Sequence, residues 1–273
     1  MRVYDCFMLF NEADVLEVRL GELYDHVDVF VVVESMTTFA GRPKAPCYHP
    51  DDPRWAPFRD KVRWVVLQDM PVFTAAPRGS RWLVEITQRN AILRGLGDAS
   101  YDDVVMVSDA DEIPRGTSVD NAKKMLKKAG RKRSTRLRIK LHLDKYQGYA
   151  DRIEIGDLWC APTAVTLQTM INRRLTPSNV RTASNDQMDT KTLERAGWHF
   201  CFCGGVPLIA EKLDNYSHDE LPTIPPETIE QRLRDSVDVL GRGNVGIRRV
   251  ALGPRHPRYL LDHQERLSAL IGG

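Results

Sequence analysis

The first 113 residues alternate apolar runs of strand length with amphipathic stripes of helix length, and this alternation constrains the fold more than any other feature. Val3 to Phe10, the β-branched run Val29 to Val33 ending at Glu34-Ser35, and Val62 to Leu67 ending at Gln68-Asp69 have the composition of buried strands. Between them, Asp14 to Tyr24 places Leu16, Leu20, Leu23 and Tyr24 on one stripe, and Arg81 to Leu96 suits a helix with Gly95 and Gly97 near its end. A fourth strand follows from Val104. Strand, helix, strand, strand, helix, strand predicts an α/β fold: a mainly parallel, Rossmann-like sheet flanked by helices.

That fourth strand ends in Ser108-Asp109-Ala110-Asp111-Glu112-Ile113-Pro114, a cluster of carboxylates directly after a buried run. Open α/β sheets bind ligands beyond the carboxyl ends of their strands. Residues two apart on an extended backbone share a side, with Cα atoms roughly 6.6 Å apart. Asp109 and Asp111 are therefore expected to face one hard divalent cation, with Pro114 stopping the strand. A capped loop is the plainer alternative.

At 273 residues and 42% hydrophobic content the chain can bury a sizeable core, and one domain is expected over residues 1–273. The formal charge of +2 sets up no global field for a polyanion. No stretch reaches the roughly 18 apolar residues of a membrane span, and the start lacks a signal peptide's apolar region, so the expectation is a soluble, cytoplasmic protein. Five cysteines without a C-x-x-C pair predict reduced thiols. His199, Cys201 and Cys203 alternate, but ligands spaced along one flat strand lie too far apart to close a zinc tetrahedron.

The second half is less regular. Arg136 to Leu143 alternates basic with apolar residues, the signature of a half-exposed strand. Val165 to Ile171 and Trp198 to Cys203 are further strand candidates, and helices are expected over Glu227 to Leu240 and Tyr259 to Ile271.

Tyr4-Asp5-Cys6-Phe7 with Asn11-Glu12, Leu16-Glu17-Val18-Arg19-Leu20, Val33-Glu34-Ser35, Gly41-Arg42-Pro43-Lys44, Gln88-Arg89-Asn90, Asp109 to Pro114, Gly197-Trp198-His199 and Lys212-Leu213 occur in this order, with Tyr259-Leu260-Leu261 near the end. Together these blocks resemble glycosyltransferase family 17. The resemblance implies a GT-A type fold, with residues 1–115 as the nucleotide-sugar half and 116–273 as the acceptor half. It also implies a UDP-sugar donor, UDP-N-acetylglucosamine, a Mn²⁺ or Mg²⁺ cofactor, and inversion at the anomeric carbon. Asp109 would lie near the ribose or a metal-bound water, and Asp111 would ligate the metal. His218 occupies the region where such enzymes often supply a late histidine ligand.

Asn11, Glu12 and Glu34 stand at the ends of the first two strands, where a donor nucleotide is expected, with helix capping as the alternative. Arg89 could reach phosphates through its fork of donors, or pair with a neighbouring carboxylate. An inverting transfer needs a base. Where the family often has an acid after Trp198-His199, this chain reads Gly204-Gly205-Val206-Pro207, which leaves Glu112 and Glu154 as candidates, with Asp186 and Asp189 behind them.

Ten cations fall within eighteen residues from Lys123 to Lys140. A solvated helix face is the usual explanation, and contact with a polyanion is the other. The acceptor therefore stays open among glycan, lipid-linked saccharide, protein and modified nucleic acid. Two alternatives to a transferase stand beside it. A haloacid-dehalogenase-like phosphatase carries Thr or Val four residues after its first Asp, where this chain has Ile113. A non-catalytic glycan- or nucleic-acid-binding module leaves the strand-end carboxylates unexplained.

Overall fold

The computed structural model describes residues 1–70, 80–131, 136–156, 158–183, 188–218 and 223–272. Its first half runs β1 (Val3–Leu9), α1 (Ala13–Leu23), β2 (Val29–Ser35), β3 (Val62–Leu67), α2 (Ser80–Asn90), β4 (Val104–Asp109), β5 (Glu112–Pro114) and α3 (Gly116–Arg131). The second half adds β6 (Leu137–Leu141), β7 (Asp144–Gln147), β8 (Arg152–Ile155), β9 (Thr163–Thr166), α4 (Leu167–Arg173) and α5 (Pro177–Thr182). It closes with β10 (Asp189–Leu193), β11 (Gly197–Cys201), α6 (Val206–Asn215), α7 (Pro226–Asp235), β12 (Gly246–Arg249) and α8 (Arg258–Asp262).

Seven strands form the main sheet in the order β10-β6-β9-β4-β1-β2-β3. β1 pairs in parallel with both β2 and β4, β2 with β3, and β6 with β10, while β9 runs antiparallel between β4 and β6. This is the expected mainly parallel α/β sheet. The continuous apolar runs have a direct cause. Val3 and Phe7 of β1 point into one core with Leu16 and Leu20 of α1, while Tyr4 and Cys6 point into another with Val31, Val33, Ile92 and Val105. Both faces of β1 are covered, so both are apolar apart from Asp5, whose charge Arg19 meets.

A second sheet, β12-β8-β7-β11-β5, was not foreseen. Pro114 does not simply stop a strand. β4 ends at Asp109, Ala110 and Asp111 form a turn, and Pro114 lies in β5, paired with Gly197. A Cβ on Gly197 would stand 2.1 Å from the Ile113 carbonyl oxygen, so the close approach of β11 to β5 requires glycine there.

Other expectations change in detail. Val165 to Ile171 is not one strand: β9 ends at Thr166, whose hydroxyl accepts from Thr169 N and starts α4. The terminal helix stops at Asp262, and a 3₁₀ turn at Ser268–Leu270 replaces its second half while Leu260, Leu267 and Leu270 all remain buried. α7 ends at Asp235 because Ser236 takes a left-handed conformation, φ 54°. β11 ends at Cys201, ahead of Phe202 at φ 53°. β6 is not half-exposed. It lies between β10 and β9, Arg138 is buried, and Lys140 donates to the Arg181 carbonyl at 2.6 Å, with burial pushing its ammonium down to about 8. The basic run therefore splits: Lys124, Lys127 and Lys128 are exposed on α3, while Arg138 and Lys140 turn inward. Lys132, Arg133 and the Arg131 side chain lie outside the described residues, as does Asp186. Among the described residues no helix is long and apolar enough to cross a membrane.

Candidate active site

β1 is flanked by β2 on one side and β4 on the other, so connections leave it in opposite directions and a crevice opens at the carboxyl ends of these strands. A cavity of about 450 Å³ occupies that position, lined by Leu9 and Phe10 after β1, Ser35 and Thr37 after β2, and Asp109 to Asp111 after β4.

The turn that carries the aspartates is held from beneath by Arg19 of α1, which is wholly buried. Its Nη1 donates to the carbonyls of Asp109 at 2.7 Å, Glu112 at 2.9 Å and Ala110 at 3.2 Å. Its Nε and Nη2 donate to the two oxygens of buried Asp5 at 2.8 and 2.6 Å, and Nη2 reaches Ser108 Oγ at 2.5 Å. A β-turn leaves carbonyls without ladder partners, and this guanidinium supplies them.

Each aspartate meets its own pair of cations. Asp109 Oδ1 lies 2.8 Å from Arg89 Nη2 and 2.8 Å from Arg181 Nη1. Burial opposes its charge, but Arg181 and Arg89 outweigh it and hold the carboxyl down to about 2. Asp111 Oδ2 accepts from Lys212 Nζ at 2.8 Å, and Oδ1 lies 3.5 Å from His199 Nε2. Against the same opposition from burial, Lys212 and His199 keep Asp111 well below the ordinary carboxylate range. In return, Asp111 raises His199 well above its ordinary value despite its burial. Lys212 also bonds Glu12 Oε1 at 2.8 Å. Among the described residues, the buried donors Arg89 Nε and His199 Nδ1 have no hydrogen-bond partner. Trp159 stacks its ring 4.7 Å from His199 and donates its indole N–H to Glu112 Oε1.

Glu12, Arg89, Asp109, Asp111 and His218 line the cavity. The other residues expected at the site lie elsewhere than on the cavity wall. Glu112 is wholly buried and accepts from Asp109 N at 2.7 Å, from Arg181 at 2.9 Å and from Trp159, so it braces the turn. Glu154 sits on β8, bonded to Lys145. Glu34 is wholly buried, and Lys44 Nζ, the backbone N–H groups of Cys47 and Tyr48, and Trp64 Nε1 occupy its oxygens. Asn11 lines an adjoining groove instead, donating to Glu211 Oε2 at 2.9 Å. Asp189 is exposed on β10 beside Arg136. His218 packs against Trp82, ring centroids 4.7 Å apart, and against Tyr216 at 5.4 Å. The set Asp109, Asp111 and His218 is not assembled: among the described residues no three His, Cys, Asp or Glu side chains converge as a metal centre.

Sequence reasoning missed Arg19, Arg181 and Lys212, and considered His199 only as a zinc ligand beside cysteines. Arg19 and Lys212 fall within the recognised blocks, but nothing in those blocks states a role. Arg181, on the six-residue helix α5, carries no local signal.

Residues 1–225 match the model of glycosyltransferase family 17. The chain is 33% identical over 119 residues to the β-1,4-mannosyl-glycoprotein 4-β-N-acetylglucosaminyltransferases of Rattus norvegicus and Homo sapiens, covering 41% of this chain and 22% of each relative. The chain thus matches about a fifth of those relatives' length. Among solved structures, glucosyl-3-phosphoglycerate synthase from Mycobacterium tuberculosis aligns over 95% of this chain and 91% of its own, at 10% identity and a TM-score of 0.36, too low to bear on the chemistry. With most of its length matched by the family model, the chain belongs to glycosyltransferase family 17.

Proposed function

We propose that this chain transfers a sugar, N-acetylglucosamine, from a UDP donor bound in the cavity to an acceptor hydroxyl, with inversion, on a GT-A type framework. The observation that carries this reading is the gathering of Arg89, Arg181, His199 and Lys212 around the strand-end turn, with Arg89 Nε and His199 Nδ1 buried and unpartnered. An unpartnered buried donor costs about 1–3 kcal/mol, which an oxygen-rich anion such as a diphosphate removes on binding. The family and the activity for which its relatives are named support the choice of sugar. Family membership also favours transfer over the phosphatase and binding-module alternatives.

In the reaction, the acceptor oxygen bonds to the anomeric carbon as the bond from that carbon to the diphosphate breaks. The electron pair leaves on UDP, and the hydroxyl proton passes to a carboxylate at the cavity. Arg89 and Arg181 would oppose the departing charge from the cavity wall, joined by Lys212 once its bond with Asp111 loosens. The carboxylates of Asp109 and Asp111 are the donor type that a hard divalent ion such as Mn²⁺ or Mg²⁺ takes, whereas His199, kept charged beside Asp111, would first have to lose its proton. A bound ion would add Lewis-acid charge at the diphosphate. For Asp111 to take part, its bond with Lys212 must loosen, which frees that ammonium for the phosphates.

Titration calorimetry with UDP and UDP-N-acetylglucosamine tests the reading. Saturable binding that Arg181→Met weakens at least tenfold supports it. A native protein that binds neither nucleotide overturns it.

A further inference from the structure

A second space, a groove of about 740 Å³, opens beside the cavity, and Phe10, Thr38, Lys44 and Asn215 line both. We infer that this groove is the acceptor site and that it is built for a neutral saccharide rather than a polyanion. The inference rests on the cavity being the donor site, since a hydroxyl entering along the groove reaches the cavity where the two spaces share walls.

Asn215 marks the junction. It ends α6, is 7% exposed, and donates its Nδ2 to the Glu211 carbonyl at 2.8 Å, yet its Oδ1 has no partner among the described residues. A buried carbonyl-type oxygen calls for a donor, which a sugar hydroxyl, both donor and acceptor, can supply. The walls continue this chemistry. Asn11 and Glu211 stand side by side, bonded at 2.9 Å, and present planar amide and carboxylate groups of the kind that bridge neighbouring hydroxyls, while Phe10 offers an apolar face.

The charges decide between acceptor classes. Arg42 and Lys44 are balanced by Glu211 and Asp214 along the groove. Lys44 is already taken by Glu34 at 2.6 Å, and Arg42 lies 3.8 Å from Asp214. Binding a polyanion relies on clustered, uncompensated cations that release counterions. The exposed lysines of α3 form such a cluster, but none of them lines either space.

The test uses the full chain with UDP-N-acetylglucosamine and three acceptor sets: neutral methyl glycosides, their sulfated counterparts, and single-stranded DNA oligonucleotides. Transfer to a neutral glycoside, with rates insensitive to salt, is expected. Glu211→Ala and Asp214→Ala should raise the acceptor KM about tenfold each, the value of one charge-assisted hydrogen bond. Their affinity for UDP should move less than twofold, which also verifies that each variant is folded. Preference for the sulfated or DNA acceptors, or variants whose acceptor KM equals the native value, overturns the inference while leaving the donor reading intact. UDP binding to the native chain is measured first, and its absence overturns both.

Discussion

Replacing Arg19 with lysine should damage stability and donor binding together, because this residue ties the core to the aspartate turn. Arginine makes six hydrogen bonds there: two to Asp5, one to Ser108 Oγ and three to the carbonyls of Asp109, Ala110 and Glu112. Lysine has three donors on one atom and no fork. It can keep Asp5 neutralised but cannot also span the turn, leaving at least one or two buried carbonyls without partners at about 1–3 kcal/mol each. A loss of about 3 kcal/mol corresponds to a Tm lower by roughly 6–12 °C, taking about 2–4 °C per kcal/mol for a protein of roughly this size. The freed turn lets Asp109 and Asp111 drift, and a displacement of about 1 Å can cost roughly a hundredfold in rate. Arg19→Met should be worse by about 3–5 kcal/mol, since it strands a wholly buried Asp5, and adding Asp5→Asn should recover part of that loss. Scanning calorimetry and UDP titration on the same samples check both effects. An Arg19→Lys protein with a Tm within about 1 °C of native and unchanged UDP affinity refutes the reasoning.

Three further outcomes follow from the charge arrangement. Asp109 has a folded value of about 2, below its unfolded value of about 3.9, so its contribution is complete above pH about 4 and is lost as pH falls towards 2. Urea midpoints should therefore fall less steeply across that window in Asp109→Asn than in the native protein, and parallel curves would contradict the pairing with Arg89 and Arg181. Glu112→Gln should lower stability by about 1.5–3 kcal/mol through its lost charged bond to Arg181, yet keep the acidic limb of the kcat profile. Disappearance of that limb would make Glu112 the base. Reversing Lys124, Lys127 and Lys128 to Glu should leave acceptor KM unchanged, whereas a steep, salt-dependent rise would return the basic run to acceptor binding.

Where local physics decides the structure, the sequence was sufficient. β1, β2, β3 and α1 fall within a residue or two of their expected bounds, because continuous apolar runs of strand length and a helical stripe leave few alternatives. The second sheet was hidden. β7 reads Asp144-Lys145-Tyr146-Gln147 and β8 Arg152-Ile153-Glu154-Ile155, four residues each, and their polar members are accommodated only by distant partners such as Arg195 for Asp144 and Lys145 for Glu154. The same limit governs the site. Asp109 and Asp111 announce themselves as carboxylates closing an apolar strand. The cations that meet them come from residues 89, 181, 199 and 212, which only the completed fold brings together. Glu112 lies buried because the chain turns at Ala110 and Asp111, which sends its side chain inward rather than to the crevice.

The decisive experiment for a metal-assisted UDP site at the β4 turn is UDP titration in the presence and absence of Mn²⁺, on the native protein and on Asp111→Ala. UDP should bind the native chain, Mn²⁺ should strengthen this binding, and Asp111→Ala should lose the metal's increment while remaining folded, because Asp111 lies on a turn at the cavity rather than in the packed core. A native chain that fails to bind UDP under either condition, or an Asp111→Ala protein that keeps the full Mn²⁺ effect, contradicts such a site.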